Sequence, residues 1–240
     1  MFKSVGNISL QETHLFFSNK IIQVAGVRNA AEAKMLIACG VKFLGFPLRL
    51  DVHSQDLSEA AAAKIIRNLP DGVTAVLITY LKTAREIAEL SGKLGTAAVQ
   101  IHGQIAPSEI TELRKNTSDL QIIKSLVVHG DNFPELERML KEFSPMVDAF
   151  ITDTYDPQTG ASGATGKTHD WEISRRLVKL SPKPVILAGG LNPGNIQEAI
   201  LKVKPAGVDV HTGVEDQTGR KDPELVRRFI SRAQSGFRVI

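Results

Sequence analysis

Two kinds of segment alternate along almost the whole chain, and this alternation constrains the fold more than any other feature. Short apolar runs rich in valine, isoleucine and leucine are typical of strands buried on both faces. Eight such runs occur, over residues 21–26, 43–48, 73–79, 97–102, 121–128, 149–153, 184–188 and 207–210. Segments with the periodicity of helices follow them, over residues 30–39, 57–67, 83–90, 107–115, 134–142, 171–179, 193–203 and 223–233.

Apolar strands that alternate with helices predict a parallel sheet covered by helices. Eight such units in 240 residues average about 30 residues each, which suits strand–helix–strand geometry. We therefore expect a single-domain (β/α)8 TIM barrel of the α/β class over residues 21–240, after an N-terminal extension over residues 1–20. An open doubly wound sheet is the alternative, since alternation does not show closure, but no G-x-G-x-x-G motif follows the first strand.

Composition excludes several classes of function. The net charge is only +3 and aromatic residues make up 5% of the chain, so neither a basic patch nor stacking platforms indicate a nucleic-acid partner. The single cysteine, Cys39, excludes an internal disulfide and favours a reducing compartment such as the cytoplasm. No apolar run is long enough to cross a membrane. The histidines lack metal-ligand spacing, so we expect no bound metal, and we expect no cofactor. We expect the protein to be a monomer or a homodimer.

The loops after the last two predicted strands indicate an anion site. In a barrel, chemistry is expected at the carboxyl ends of the strands. Gly189 and Gly190 follow strand seven, and His211, Thr212 and Gly213 follow strand eight. Such loops let backbone N–H groups point into a concavity, which favours a phosphate group. We expect a phosphorylated small-molecule substrate to bind there; the alternative is that the glycines only form tight turns.

A carboxylate at the end of an apolar strand is the best candidate for acid–base chemistry. Asp153 ends strand six, where burial is unfavourable unless the group has partners or a task; a loop-capping role is the alternative. His102 ends strand four and is a candidate substrate contact, although a structural, hydrogen-bonded role is the commoner one. His53 and His211 lie near strand ends and stay open as catalytic candidates. The glycine-rich stretch 160–167 predicts a mobile active-site loop rather than a nucleotide cradle.

Several motifs together resemble one known family. They are Gly-Val-Arg-Asn at 26–29, Gly-Phe at 45–46, Val-Gln-Ile-His-Gly at 99–103, Thr-Gly-Lys-Thr-His-Asp-Trp at 165–171, Leu-Ala-Gly-Gly-Leu-Asn-Pro at 187–193 and Gly-Val-Asp-Val-His-Thr-Gly-Val-Glu at 207–215. From about residue 21 to the C-terminus, the chain resembles phosphoribosylanthranilate isomerase, a (β/α)8 enzyme of tryptophan biosynthesis.

The resemblance implies an Amadori rearrangement, which turns a phosphorylated aldosylamine into a ketosamine. A general acid protonates the ribose ring oxygen, and a general base removes the C2 proton of the resulting Schiff base. The resemblance places the acid at Asp153. It places the phosphate donors in backbone groups around Gly189, Gly190, Thr212 and Gly213, which agrees with the anion site inferred from the loops.

Two departures from the family pattern concern the base and the substrate. The first strand of the family normally ends Lys-Ile-Cys-Gly, with the cysteine as general base, but here it reads Gln-Val-Ala-Gly. Ala25 therefore occupies the cysteine position, and the helix pattern puts Cys39 on the outer ring. The stretch after strand two also differs from the family's usual Ser-x-Arg-Tyr type. We expect Arg49 to bind a substrate carboxylate there, and Asp51 or His53 to accept the proton.

Three functions are consistent with these observations. The first is a phosphoribosylanthranilate isomerase that works with a replacement base. The second is an isomerase or lyase for a different sugar phosphate, which uses Asp153 and a residue of the stretch 49–53. The third is a non-catalytic protein that binds a phosphorylated metabolite, because a phosphate site is kept where the usual base is missing.

Overall fold

The computed structural model describes residues 20–51, 57–154 and 168–240. Within these ranges, parallel strands form a closed barrel in chain order, and the last strand pairs with the first. The strands are β1 (Ile21–Ala25), β2 (Phe43–Pro47), β3 (Thr74–Thr79), β4 (Ala98–Ile101), β5 (Gln121–Val128), β6 (Ala149–Thr154), β7 (Val185–Leu187) and β8 (Gly207–Val210).

One α-helix follows each strand and covers the outside of the barrel. These are α1 (Ala30–Ala38), α2 (Glu59–Ile66), α3 (Ala84–Leu94), α4 (Pro107–Asn116), α5 (Phe133–Phe143), α6 (Trp171–Leu180), α7 (Ile196–Val203) and α8 (Pro223–Phe237). A short 3₁₀ helix, Thr212–Val214, lies between β8 and α8. The closed order confirms the predicted (β/α)8 TIM barrel and excludes the open sheet. No helix in the described ranges is both long and apolar enough to span a membrane.

Three helices begin at residues whose side chains cap the first turn. Asn29 accepts a hydrogen bond from the Glu32 N–H, and Ser58 accepts one from the Ala61 N–H. Asp222 accepts two, from the first turn of α8. These side chains bond backbone N–H groups that have no partner inside the helix, and they thereby fix the starts of α1, α2 and α8.

The predicted start of α7 at Pro193 is wrong, because the helix begins at Ile196. Asn192 Oδ1 accepts a hydrogen bond from the Gly194 N–H, and Asn195 Oδ1 accepts one from the Asn192 N–H. Asparagine side chains that bond nearby backbone groups favour turns over helix. The chain therefore makes a turn after β7 before α7 starts.

The barrel interior is apolar in its lower part and polar towards the carboxyl ends of the strands. A cluster of buried side chains from different strands fills the lower part, and it comprises Ile21, Val76, Ala98, Ile123, Ala149, Ile151, Ile186 and Ala188. Alternate residues of a strand share a face, so Gln23, Gln100, Asp153 and Asp209 continue this inner surface. All four are buried. The fold therefore places a polar layer where barrel enzymes carry their chemistry.

Candidate active site

Asp153 presents a buried carboxyl group at the carboxyl end of β6. The residue is only 5% exposed, and its Oδ1 accepts a hydrogen bond of 2.8 Å from the Thr154 N–H. Burial raises the pKa of Asp153 to about 7, with the Thr154 hydrogen bond opposing this shift and the nearby charge of Asp209 contributing to it. A carboxyl group with this pKa holds a proton near neutral pH and is able to donate it.

His102 lies beside this carboxyl group but forms no ion pair with it. The His102 Nδ1 is 3.8 Å from Asp153 Oδ2, which is too long for a hydrogen bond. Burial lowers the pKa of His102 to about 3, and the charge of Lys124 adds to this effect. The imidazole is therefore neutral at physiological pH. It leaves the pKa of Asp153 high, whereas a cation at this place would lower it.

A chain of hydrogen bonds crosses the barrel interior from His102. The Gln100 Nε2 lies 2.5 Å from His102 Nε2, and because an amide nitrogen only donates, the histidine nitrogen accepts. The Gln23 Nε2 donates to Gln100 Oε1 over 3.0 Å. Gln23 also bonds Asp209, on the neighbouring strand β8. The Nδ1 of His102 therefore carries the ring proton and faces Asp153.

Asp209 is a second buried carboxyl group in this layer. Burial raises its pKa to about 7, against the lowering effects of the Gln23 hydrogen bond and of Lys221. Its Oδ1 has no hydrogen-bond partner among the described residues. Asp209 is not among the site residues predicted above, although a carboxylate in an apolar strand, the signal that indicates Asp153, is present here too.

The loops after β7 and β8 form a close-packed backbone cradle. Gly189 and Gly190 have φ values of +96° and +63°, which are conformations that favour glycine. A Cβ atom at Gly213 would overlap the carbonyl oxygen of Leu191, so the two loops touch through their backbones. The Thr212–Val214 3₁₀ helix starts at this contact. The glycines carry no side chains that could cover the backbone of these loops, which is a property of anion sites in general.

His169 ties the end of β6 to the start of α6. Its Nδ1 lies 2.9 Å from Thr154 Oγ1, and its Nε2 lies 2.5 Å from Ser174 Oγ. Burial lowers the pKa of His169 to about 4, so the ring is neutral. Its spacing in the sequence gave no signal for this role, because both partners are brought to it by the fold.

His211 lies at the junction of β8 and β1. A Cβ atom at Gly26 would overlap the imidazole ring of His211, so the ring packs directly on the backbone that follows Ala25. The His211 Nε2 is 3.5 Å from Glu215 Oε1. Lys221 Nζ donates to that same oxygen over 2.7 Å and to the His211 carbonyl oxygen over 2.9 Å. An imidazole with a carboxylate at this distance is a common acid–base arrangement.

Known proteins with similar sequences identify the family of this chain. The chain matches the family model of N-(5'-phosphoribosyl)anthranilate (PRA) isomerase over residues 22–232. The chain belongs to this family. It is 40% identical over 217 residues to N-(5'-phosphoribosyl)anthranilate isomerase 2 of Methanosarcina mazei, over 90% of this chain and 95% of that protein. It is also 35% identical to the isomerase of Halorubrum lacusprofundi, over 88% of this chain and 95% of that protein.

Solved structures of PRA isomerases have the same fold. The enzyme from Pyrococcus furiosus is 28% identical, with a TM-score of 0.74 over 90% of this chain and 100% of that one. The enzyme from Thermotoga maritima is also 28% identical, with a TM-score of 0.75 over 90% and 99%. The function is therefore the isomerisation of phosphoribosylanthranilate in tryptophan biosynthesis. This confirms the isomerase activity of the first of the three functions, whereas the replacement base that the sequence predicts with it stays a prediction.

The remaining candidates of this PRA isomerase lie around the rim. Arg49 Nε donates to Glu59 Oε1 over 2.8 Å, which fixes the side chain between β2 and α2. The side chain of Asp51 is 55% exposed and lies 3.8 Å from Lys82 Nζ. His53 and the stretch 160–167 lie outside the described residues, so their predicted roles stay predictions.

A cavity of about 790 Å³ opens beside the polar layer. Asp51, Tyr80, His102 and Lys124 contribute to its lining. The Tyr80 and His102 rings stack with their centroids 5.6 Å apart, and burial raises the pKa of Tyr80 to about 12. Within residues 20–51, 57–154 and 168–240, no three histidine, cysteine or carboxylate side chains group closely enough to hold a metal ion.

Proposed function

We propose that Asp153 is the general acid of this PRA isomerase. The observation that carries the proposal is a buried carboxyl group, with its pKa raised to about 7, at the carboxyl end of a barrel strand. In the first step, Asp153 transfers its proton to the ribose ring oxygen, the bond from C1 to that oxygen breaks, and a Schiff base forms. The neutral His102 then presents its Nδ1–H to the carboxylate that remains.

The loops after β7 and β8 hold the phosphate group of the substrate in this proposal. Gly189, Gly190, Thr212 and Gly213 contribute backbone N–H groups to it. Because β6 and β7 are neighbours in the barrel, a phosphate held after β7 and β8 positions the ribose over Asp153. Binding energy from the phosphate therefore orients the reacting end of the molecule.

Arg49 binds the carboxylate of the anthranilate group in this proposal. Its backbone has a φ of +52°, and the bond to Glu59 orients the guanidinium. A guanidinium matches the geometry of a carboxylate and forms two parallel hydrogen bonds with it. The substrate would thus be held at both ends, with its ribose between them.

Ala25 at the end of β1 leaves the family's usual base position without a proton acceptor, since a methyl group accepts no proton. The single thiol of the chain does not replace it. Cys39 follows α1 on the outer ring, where its Sγ lies 3.8 Å from Met35 Sδ and 3.7 Å from the Pro223 carbonyl oxygen. A different group must therefore remove the C2 proton.

A steady-state assay with freshly prepared PRA, which follows the loss of anthranilate fluorescence, tests this assignment. We expect turnover by the wild type and a fall of about 10²- to 10⁴-fold in kcat for Asp153→Asn. Asp119→Asn is the matched control, because Asp119 is an exposed carboxylate at the opposite end of the barrel. Wild-type activity in Asp153→Asn would remove the assignment, and a wild type without turnover would contradict the mechanism as a whole.

A further inference from the structure

The rearrangement needs a group that accepts the C2 proton, and few side chains near the strand ends are able to do so. His102 already accepts a hydrogen bond from Gln100, and its pKa is lowered to about 3. Both ring nitrogens of His169 are engaged by hydroxyl groups. In the part of the chain that the structure describes, the candidates that remain around β1 and β8 are Asp209 and His211.

The strand register brings His211 level with the methyl group that ends β1. Val24 pairs with Val210, so the next residue of each strand, Ala25 and His211, lies one step closer to the mouth of the barrel. Residues two apart along a strand share a face. Since Gln23 and Asp209 point into the interior, Ala25 continues that face at the end of β1. His211 directly follows the last residue of β8, at the same level.

The backbone of β1 is shaped to receive the imidazole. Gly26 has a φ of +86°, and a Cβ atom at this position would overlap the ring of His211. Any other residue would therefore displace the ring. The imidazole therefore packs against the residue that follows Ala25, and 24% of its side chain is exposed.

A carboxylate lies beside the ring of His211. Glu215 Oε1 is 3.5 Å from Nε2, a separation over which a carboxylate is able to orient an imidazole. Lys221, whose side chain is 1% exposed, bonds both Glu215 and the His211 carbonyl oxygen. Among the described residues, Glu215 lies beside the ring, Lys221 bonds Glu215 and the His211 backbone, and Asp209 lies one layer below.

Asp209 is less well placed than His211 to act on the substrate. It pairs with Gln23 rather than with Ala25, so it lies one layer deeper, and it is only 8% exposed. Its hydrogen bond from Gln23 also holds it within the polar layer. A group that meets the substrate at the mouth of the barrel has to lie at the level of His211.

We propose that His211, oriented by Glu215, is the general base that removes the C2 proton and so replaces the thiol missing at Ala25. This inference rests on the proposed function. The C2–H bond breaks, its electron pair forms the C1=C2 bond, the C=N electrons move to nitrogen, and the proton passes to the imidazole. Ketonisation then adds one proton at C1 while the C2 hydroxyl loses one, so that with the proton given to the ring oxygen the reaction is balanced.

The first test is the activity of His211→Ala and of the near-isosteric His211→Gln, with Asp119→Asn, which changes an exposed residue at the opposite end of the barrel, as the control. We expect kcat to fall about 10²- to 10⁴-fold in both His211 variants, with KM within about threefold of wild type. Circular dichroism and thermal unfolding check the fold, and the glutamine variant serves if the alanine variant does not fold. Activity of a folded His211 variant within threefold of wild type would overturn the proposal.

The second test is rescue, which a merely structural role would not allow. The double variant Ala25→Cys/His211→Ala returns a thiolate beside the empty position, and we expect it to regain at least about tenfold in kcat over His211→Ala. Added imidazole should also restore part of the activity of His211→Ala. A rise in KM with kcat unchanged would assign His211 to substrate binding instead. No rescue by either route would also overturn the assignment of His211 as the general base.

Two further variants separate this inference from its rivals. His53→Ala and Asp209→Asn test the alternative bases, and loss of turnover in either, with His211→Gln active, would move the base to that residue. The failure of the proposed function is distinguishable, because it would appear as an inactive wild type or an active Asp153→Asn. If the wild type is active and Asp153→Asn is inactive, the proposed function stands. The His211 variants then test only which residue is the general base.

Discussion

The exchange Asp153→Asn should make the protein more stable while it removes the activity. The folded state raises the pKa of this carboxyl group from 3.8 to about 7, which means that its ionisation opposes folding. The unfavourable contribution begins when the carboxyl group of the unfolded chain ionises near pH 4. It grows as the pH rises and levels off above pH 7, where the carboxyl group of the folded protein is also ionised.

The raised pKa sets the size of the effect. A difference of about three units corresponds to about 4 kcal/mol at pH 8, whereas at pH 5 the same linkage gives less than about 2 kcal/mol. The asparagine keeps an oxygen for the Thr154 N–H and carries no charge. We therefore expect Asp153→Asn to gain about 2 to 3 kcal/mol more stability at pH 8 than at pH 5, or roughly 5 to 10 °C in Tm.

Urea unfolding at pH 5 and at pH 8, followed by circular dichroism, measures this difference. Asp119→Asn removes an exposed carboxylate and should change stability by less than about 0.5 kcal/mol at either pH. The same reasoning predicts that kcat/KM of the wild type falls as the pH rises above about 7, because the acid must hold its proton. An Asp153→Asn protein whose stability gain is equal at both pH values would refute the raised pKa.

Three other exchanges test the rest of the site. Gly213→Ala should abolish the rise in Tm caused by inorganic phosphate, because the new Cβ overlaps the Leu191 carbonyl oxygen; Gly92→Ala, whose Cβ meets no atom within 4 Å, is the control, and equal phosphate effects in both would contradict the cradle. Arg49→Lys should raise KM about tenfold with kcat little changed, since lysine lacks the paired donors, and an unchanged KM would argue against carboxylate binding. His169→Ala should lower stability in urea by about 1 to 3 kcal/mol, because it leaves two buried hydroxyl groups without their partner; a smaller loss would mean that these bonds contribute little.

The sequence predicts those parts of the molecule that depend on neighbouring residues. Strand and helix periodicity identifies the barrel, and Asn29 and Asp222 reveal helix starts, because each acts within one turn of chain. A carboxylate at the end of an apolar strand is likewise visible in the sequence, and it is the basis for proposing Asp153 as the acid. The start of α7 is predicted wrongly at Pro193 because proline suits a first helical turn. The hydrogen bonds of Asn192 and Asn195 that form a turn before Ile196 are not visible in the sequence.

The parts that the sequence did not reveal depend on contacts between distant segments. The imidazole of His211 acquires its position from Gly26, which lies near the other end of the chain. His102 is neutral because the fold buries it and brings Lys124 near it. No spacing rule encodes such contacts, since they follow from the closure of the barrel and from the register of its strands.

The position of the single cysteine has a consequence for reactivity. Thiols are the side chains that oxidants, alkylating reagents and soft metal ions attack first. Here the one thiol lies on the outer ring, away from the mouth of the barrel. Modification of Cys39 should therefore leave catalysis intact, and a fluorophore attached there would report on the molecule from outside without touching its chemistry.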